Sequence, residues 1–361
     1  MKAAIYHGPQ QPLTIEEVDI DQPADREVLV RTVASGVCHS DLHFVDGFYS
    51  FPAPAILGHE AAGVVEAVGA QVTEFKPGDH VIACLSVYCG TCEFCLTGRT
   101  YICSSPPQRK RGEAPRLRWN DKRVHQFALV GGYAEQMLLH ENGVVKIGED
   151  MPLDRAALIG CGVTTGVGAA LKTARVEPGS TVAVFGAGGV GLSVIQGARI
   201  AGARMIIAVD VVEHKLGTAR ELGATHVVDA SSQDAVSAIR DLTNGGVDYS
   251  FEAIGLKKTA EQAFECIHQG GTATIIGMIP EGTKIEISAD WSMAAKKLQR
   301  SRMGSNQFKV DMPHYIELYK QGRLKLDEMI TRRGRLEDIN DAFRAMKAGE
   351  VARSVLMFDG A

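Results

Sequence analysis

Apolar and polar positions along the chain fall into two textures. From Met1 to about Pro152, short apolar runs (Lys2–Tyr6, Val28–Val37, Gly63–Val68, His80–Ala83, Ala134–Leu139) are broken by Gly, Pro and Asp. Runs of this length between turn residues predict strands and an antiparallel β domain. The turn Pro77–Asp79 before His80 reads as scaffold. Beyond Cys161 and Gly162, strand-like runs at Thr181–Gly186, Arg204–Asp210, His226–Asp229, Val247–Gly255 and Gly271–Met278 alternate with helical stretches such as Leu192–Ala203 and Thr259–His268. That alternation predicts parallel strands under helices, a doubly wound α/β sheet. From about Asn306, two amphipathic helices (Pro313–Gly322, Leu336–Ala348) and a closing strand Ser354–Phe358 are expected to return to the first domain. The expected division is 1–162 with 306–361 for one domain and 163–305 for the other, since 361 residues exceed a single core.

Composition narrows the partners. With 38 basic and 43 acidic residues and a formal charge of −5, nothing favours nucleic acid or an anionic membrane. The first twenty residues carry one Lys followed by polar and acidic positions, so no signal peptide is expected there, and no apolar run approaches membrane-spanning length. Eight cysteines without an export signal point to metal ligands, catalytic groups or buried thiols in a reducing, cytoplasmic setting.

Four of those cysteines carry the most specific spacing in the chain: Cys89-x2-Cys92-x2-Cys95-x7-Cys103, within a lobe spanning 86–104. Four thiolates so close together suit a closed tetrahedral zinc site, with Gly90 and Gly98 turning the backbone between ligands. A ferredoxin-type cluster would place its fourth Cys after three residues and before Pro; here the gap is seven and Ser104 follows. Cys84 and Cys266 lack such partners and read as buried thiols. The basic stretch after the lobe (Arg109, Lys110, Arg111, Arg116, Arg118, Lys122, Arg123) reads as a solvated loop or subunit-contact segment rather than a nucleic-acid patch.

Two further constellations carry chemistry. Gly36–Glu60 holds Cys38 and His59, a thiolate and an imidazole of the kind zinc prefers, with Asp41 and Glu60 available to orient them; a buried Cys and an unrelated His remain the alternative reading. The strand Thr181–Gly186 runs into Gly186-Ala187-Gly188-Gly189-Val190-Gly191, then a helix, then a strand ending at Asp210. Strand, glycines, helix, strand and terminal acid form the dinucleotide-binding fingerprint. Asp210 is placed to accept from the adenosine ribose hydroxyls, a helix N-cap being its other reading. Val211, Val212 and Glu213 follow where a 2′-phosphate would need a cation, which favours NAD over NADP.

With Cys38, His59-Glu60, the four-cysteine lobe, Cys161 and GAGGVG in this order, the chain resembles the zinc-dependent medium-chain alcohol dehydrogenases along essentially its whole length. The resemblance implies a GroES-like antiparallel β catalytic domain interrupted by a Rossmann NAD domain. It implies two zinc ions, one structural and one catalytic, the latter held by Cys38, His59 and Cys161 with a fourth place open to an alcohol. There the alcohol would lose its proton near neutral pH. Asp41 would orient His59 and Glu60 would sit behind the metal. Ser40 and His43 match the family's proton relay, and His39 and Arg353 its pyrophosphate contacts. Thr165 matches a nicotinamide contact and Lys215 an adenosine-ribose contact. The implied reaction is reversible oxidation of a primary alcohol to an aldehyde, in a homodimer or homotetramer.

Departures from the family pattern lie around the substrate. Leu85 stands where many members carry a bulky aromatic, and Phe48 and Tyr49 occupy a variable loop lining the same channel. A roomier pocket for medium-chain or aromatic alcohols is expected. A thiol adduct of formaldehyde ranks second, with Arg109–Arg111 as candidate cations at the pocket mouth but Tyr49 where those enzymes carry an acid. A polyol is disfavoured because Cys161 stands where polyol members tend to place a carboxylate.

Overall fold

The strand Glu27–Val37 is buried at ten of its eleven positions, the mark of a strand covered on both faces. A computed structural model, which describes residues 1–110, 112–288 and 294–358, shows why. Glu27–Val37 pairs antiparallel with Ala61–Val68, with Gln136–His140 and with the C-terminal strand Arg353–Met357. Around it runs the path Val144–Ile147, His80–Ala83, Ala61–Val68, Glu27–Val37, Arg353–Met357, Ile330–Gly334. A second sheet joins His125–Gln126, Ala55–Ile56, Lys2–Tyr6 and Thr14–Glu17. Most pairs are antiparallel, but Ile330–Gly334 with Arg353–Met357, and His125–Gln126 with Ala55–Ile56, run parallel.

By contacts the described residues form two compact units. One comprises Met1–Cys161, Gln307–Gly322 and Leu326–Ala361; the other comprises Gly162–Asn306 and Arg323–Lys325. The first has two apolar clusters. One includes Tyr6, Leu57, Tyr133 and Phe343, and the other Val30, Val65, Phe75 and Val81. Each such Val, Leu or Phe side chain, fully buried, contributes about 1.5–3 kcal/mol.

The second unit is a six-stranded parallel sheet in the order His226–Asp229, Met205–Asp210, Thr181–Phe185, Val247–Glu252, Ile267–Ile275, Lys297–Arg300. Helices Gly189–Ala201, Glu213–Leu222, Ala235–Thr243 and Lys257–Glu265 connect its strands. Strand order reverses beside Thr181–Phe185, where open α/β sheets bind nucleotides outside the strands' carboxyl ends.

Two expectations need correction. The helix placed at Pro313–Gly322 begins at Phe308 and carries Pro313 in its interior, because Phe308, Met312, Tyr315 and Ile316 form a buried face that outweighs one missing backbone donor. The continuous helical segment Leu153–Ala174 is long and apolar enough to cross a membrane, with a mean hydropathy of 1.3 over its best window. That window is 83% buried, as in the core helix of a globular unit.

Candidate active site and metal centres

The C-terminal end of Glu27–Val37 delivers Cys38, the N-cap of the short helix His39–Val45. The segment before Ala61–Val68 delivers His59 and Glu60, since Ala61 pairs with Ser35 of the central strand. Cys161 lies in a π-helical turn, Ile159–Val163, a widened helix geometry frequent at functional sites. Donor atoms of Cys38, His59 and Cys161 lie within 4.8 Å of one another, and all three residues are buried.

Burial opposes a charge on His59, yet the Asp41 carboxylate and the Cys38 sulfur outweigh it and lift the imidazole to about 10. The hydrogen bond with Cys161, helped by His59, holds the Cys38 thiol well below its ordinary value. Two soft sulfurs and one imidazole, buried together without a ligating carboxylate, fit a zinc ion with one coordination place left for an exogenous ligand.

Behind His59 stands Asp41, fully buried. One carboxylate oxygen accepts from His59 Nδ1 at 3.1 Å and from the Gly58 amide at 2.9 Å; the other accepts from Tyr133 Oη at 2.9 Å. Gly58 has φ +85°, and a Cβ there would lie 2.6 Å from the Tyr133 ring, so only glycine fits. Sequence reasoning missed Gly58 and Tyr133, because their meeting depends on pairing between 57–58 and 132–133. Phe127 was missed as well; its ring lies 5.5 Å from that of His59 and packs with Phe44 and Phe51.

Glu60 and Arg353 are buried and form an ion pair. Ser354 pairs with Val37, which brings Arg353 beside the end of the central strand. Ser40 Oγ lies 3.7 Å from Cys38 Sγ. His43, one turn further along, is half-buried, and burial lowers its pKa. Its ring contacts Phe48 and Tyr49 at 5.6 and 6.1 Å. His39 is exposed on the same helix, and Leu85 is half-buried just after His80–Ala83.

In the lobe, the sulfurs of Cys89, Cys92, Cys95 and Cys103 also lie within 4.8 Å of one another. Backbone amides of Cys92 and Cys89 donate to Cys89 Sγ and Cys103 Sγ, each at 3.3 Å, and amide donors lower the Cys89 thiol below its ordinary value. Such a donor set fits a structural zinc. Cys84 and Cys266, which have no such cluster around them among the described residues, are pushed up to about 12 by burial.

Within the second unit, Gly186 turns with φ +98°, and Gly191 packs so tightly that a Cβ would lie 1.7 Å from the Gly186 carbonyl. A Cβ on Gly188 would meet nothing within 4 Å, leaving its face open. Gly189 and Val190 begin the helix Gly189–Ala201. The Asp210 carboxylate accepts from the amides of Ala187, Val211 and Val212, which ties it to the glycine turn. It is not a helix cap: the N-cap of Glu213–Leu222 is Val212. Lys215 lies half-buried in that helix's first turn, and buried Thr165 donates to Met303 Sδ at 3.2 Å.

The basic loop is not simply solvated. Arg109 and Arg116 have side chains 11% and 9% exposed, and both bind the buried carboxylate of Glu27. Arg109 also binds Asp21. Burial works against the Glu27 charge, but the two guanidinium groups hold its carboxyl below the usual range. Arg109 is therefore consumed at the base of the central strand, which removes it from the candidate cations of a thiol-adduct pocket. Arg111 lies outside the described residues.

Comparison with known proteins gives the family. Residues 24–149 match the family described as alcohol dehydrogenase GroES-like domain, and 189–321 the family described as zinc-binding dehydrogenase. An alcohol dehydrogenase zinc-binding domain protein from Burkholderia ambifaria is 37% identical, with a TM-score of 0.92 over 99% of this chain and 98% of that one. Benzyl alcohol dehydrogenase from Acinetobacter calcoaceticus is 34% identical, with a TM-score of 0.93 over 99% of both chains. A putative zinc-binding dehydrogenase from Sinorhizobium meliloti, solved bound to NADP, is 27% identical, with a TM-score of 0.84 over 99% of both. The chain belongs to the zinc-dependent medium-chain alcohol dehydrogenase family, with its GroES-like and Rossmann-type domains, and is an oxidoreductase of that family.

Proposed function

We propose that this protein is an NAD-dependent alcohol dehydrogenase that interconverts primary alcohols, aromatic or medium-chain, with their aldehydes. The observation that carries this reading is the convergence of Cys38, His59 and Cys161 on one buried point. In this reading they hold a catalytic zinc, and Cys89, Cys92, Cys95 and Cys103 hold a structural one. When bound, zinc supplies Lewis acidity at the alcohol oxygen and NAD accepts the hydride.

The remaining roles belong to the chain's own side chains. Asp41 fixes the His59 ring, which leaves Nε2 for the metal. Glu60, neutralised by Arg353, sits behind the ligands, and Arg353 can exchange that partner for a cofactor phosphate. Ser40 takes the alcohol proton, and His43, kept neutral by burial, passes it towards solvent. His39, exposed beside them, serves a phosphate. Gly188 lets the backbone approach the pyrophosphate, Asp210 and Lys215 hold the adenosine ribose, and Thr165 packs on the nicotinamide. The carboxylates of Asp210 and Glu213 repel a 2′-phosphate, which supports NAD even though one relative was solved with NADP.

Phe48, Tyr49 and Leu85 line the substrate pocket. The aromatic wall of Phe44, Phe51 and Phe127 beside His59 supports an aromatic substrate, as does the likeness to a benzyl alcohol dehydrogenase. The catalytic domain comprises 1–162 and 306–361 and the NAD domain 163–305. The protein acts in the cytoplasm as a homodimer or homotetramer. The test is NADH formation at 340 nm with zinc-loaded protein and a panel of benzylic, medium-chain and polyol substrates. Turnover of benzylic or medium-chain alcohols with NAD is expected, and silence across the panel with both NAD and NADP would end the proposal. Greater turnover of a polyol than of any simple alcohol would reassign the substrate.

A further inference from the structure

We propose that Tyr133 is a positioning residue for the catalytic metal, acting through Asp41 to hold His59 in its ligating orientation. The proposal rests on the reading of Cys38, His59 and Cys161 as a zinc site. Tyr133 is fully buried and its hydroxyl lies 2.9 Å from Asp41 Oδ2, the carboxylate oxygen that His59 and Gly58 leave unused. Asp41 is thus a buried carboxylate with three donors, two on one oxygen and one on the other. Removing the Tyr133 hydroxyl would leave Oδ2 buried without its donor, and the carboxylate would have to rotate towards another. That rotation releases the hydrogen bond that orients His59.

The geometry gives Tyr133 little freedom to do anything else. Its amide donates to the Leu57 carbonyl at 3.0 Å, its carbonyl accepts from the Ala4 amide at 2.9 Å, and the neighbouring Gly132 amide donates to Gly58 at 2.8 Å. The ring packs on Gly58, whose missing side chain makes the space, and contacts Phe343 of the helix Ile339–Lys347 at 6.1 Å. Backbone pairing therefore fixes the phenol from one side and the C-terminal helix from another. The hydroxyl meets the carboxylate that holds His59. Burial and the Asp41 charge together push the phenol well above its ordinary pKa, so it stays a donor.

The experiment compares the full-length protein with Tyr133→Phe, which keeps the ring and its packing. Loss of an outer partner of a metal-ligating histidine weakens metal binding by about 10–100-fold. A loss near the lower end, about tenfold, is expected here because the tyrosine acts one step further out. Competition with a chromogenic chelator should release two zinc ions per wild-type chain in two phases. In Tyr133→Phe the catalytic phase should shift to about tenfold lower chelator concentration, while the four-cysteine phase stays in place. Cobalt substituted at the catalytic site should show a changed visible absorption spectrum. In the Asp41→Asn background Tyr133→Phe should add no further shift, because the two act in series.

A merely structural role would lower the melting temperature of the metal-free chain and leave the chelator competition unchanged, which would overturn the proposal. Equal shifts in the presence and absence of the Asp41 carboxylate would also overturn it. A wild-type chain that releases only one zinc would instead refute the metal-site reading on which the proposal rests.

Discussion

Two glycines give the sharpest test of the nucleotide fingerprint: Gly188→Ala and Gly191→Ala should fail for opposite reasons. A Cβ at Gly191 would stand 1.7 Å from the Gly186 carbonyl oxygen, so the helix Gly189–Ala201 must move away from its strand. Overpacking of this kind costs about 1–3 kcal/mol. At about 2–4 °C per kcal/mol for a domain of this size, the melting temperature should fall by up to about 12 °C. Gly188, at φ −83° and ψ −175°, is in backbone space open to any L-residue, and a Cβ there meets nothing within 4 Å. Gly188→Ala should therefore leave stability unchanged or raise it by about 0.4–1 kcal/mol. Its methyl would instead occupy the open face that the proposed pyrophosphate contact requires.

Thermal unfolding with and without NAD reads both effects. At a hundred times Kd, NAD should stabilise the wild-type chain by about 2.7 kcal/mol, and Gly188→Ala should lose most of that gain. A Gly188→Ala protein that NAD stabilises as strongly as wild type, or a Gly191→Ala protein that melts with wild type, would refute the assignment of these glycines.

Gly58→Ala should be among the most damaging single changes in the first unit. It combines a left-handed backbone position, which costs about 1–2 kcal/mol for an L-residue, with a clash against the Tyr133 ring. Melting and zinc content should both fall, and an unchanged melt would contradict the packing described. Glu27→Gln should destabilise by about 3–5 kcal/mol, because it takes the carboxylate from the nearly buried Arg116 guanidinium and leaves Arg109 with Asp21 alone; a denaturant midpoint equal to wild type would count against that role. The Asp248 carboxylate, against the opposing effect of burial, raises the His268 pKa. Its stabilising effect is therefore complete below about pH 6.5 and disappears as pH rises through the raised folded value. His268→Gln should flatten the pH dependence of melting in that window, and an unaltered profile would show that the pair contributes nothing.

What could be read from the sequence was local. The glycine turn, its flanking strands and Asp210 lie within one βαβ stretch, and the four lobe cysteines lie within fifteen residues, so spacing alone exposed both. Cys161 is distant in sequence from Cys38 and His59, and only the family resemblance nominated it before the structure brought the three together. The partners of those residues were not legible. Tyr133 reaches Asp41 across 92 positions, and Arg109 reaches Glu27 across 82, through long-range contacts that no local pattern encodes. The basic loop looked solvated because its charges are visible in sequence and the buried carboxylate that binds two of them is not. Pro313 misled the helix start in the same way, since a buried face formed with the rest of the unit overrides a local preference.

If Cys38, His59 and Cys161 hold one zinc and oxidation of the alcohol depends on it, metal and activity are lost together. The most direct measurement is zinc content by mass spectrometry beside NADH production for wild type and Cys38→Ala, on protein purified without chelators. Two zinc ions per wild-type chain are expected, and one in the variant together with loss of alcohol oxidation. A variant that keeps two zinc ions, or keeps full activity with one, would contradict that.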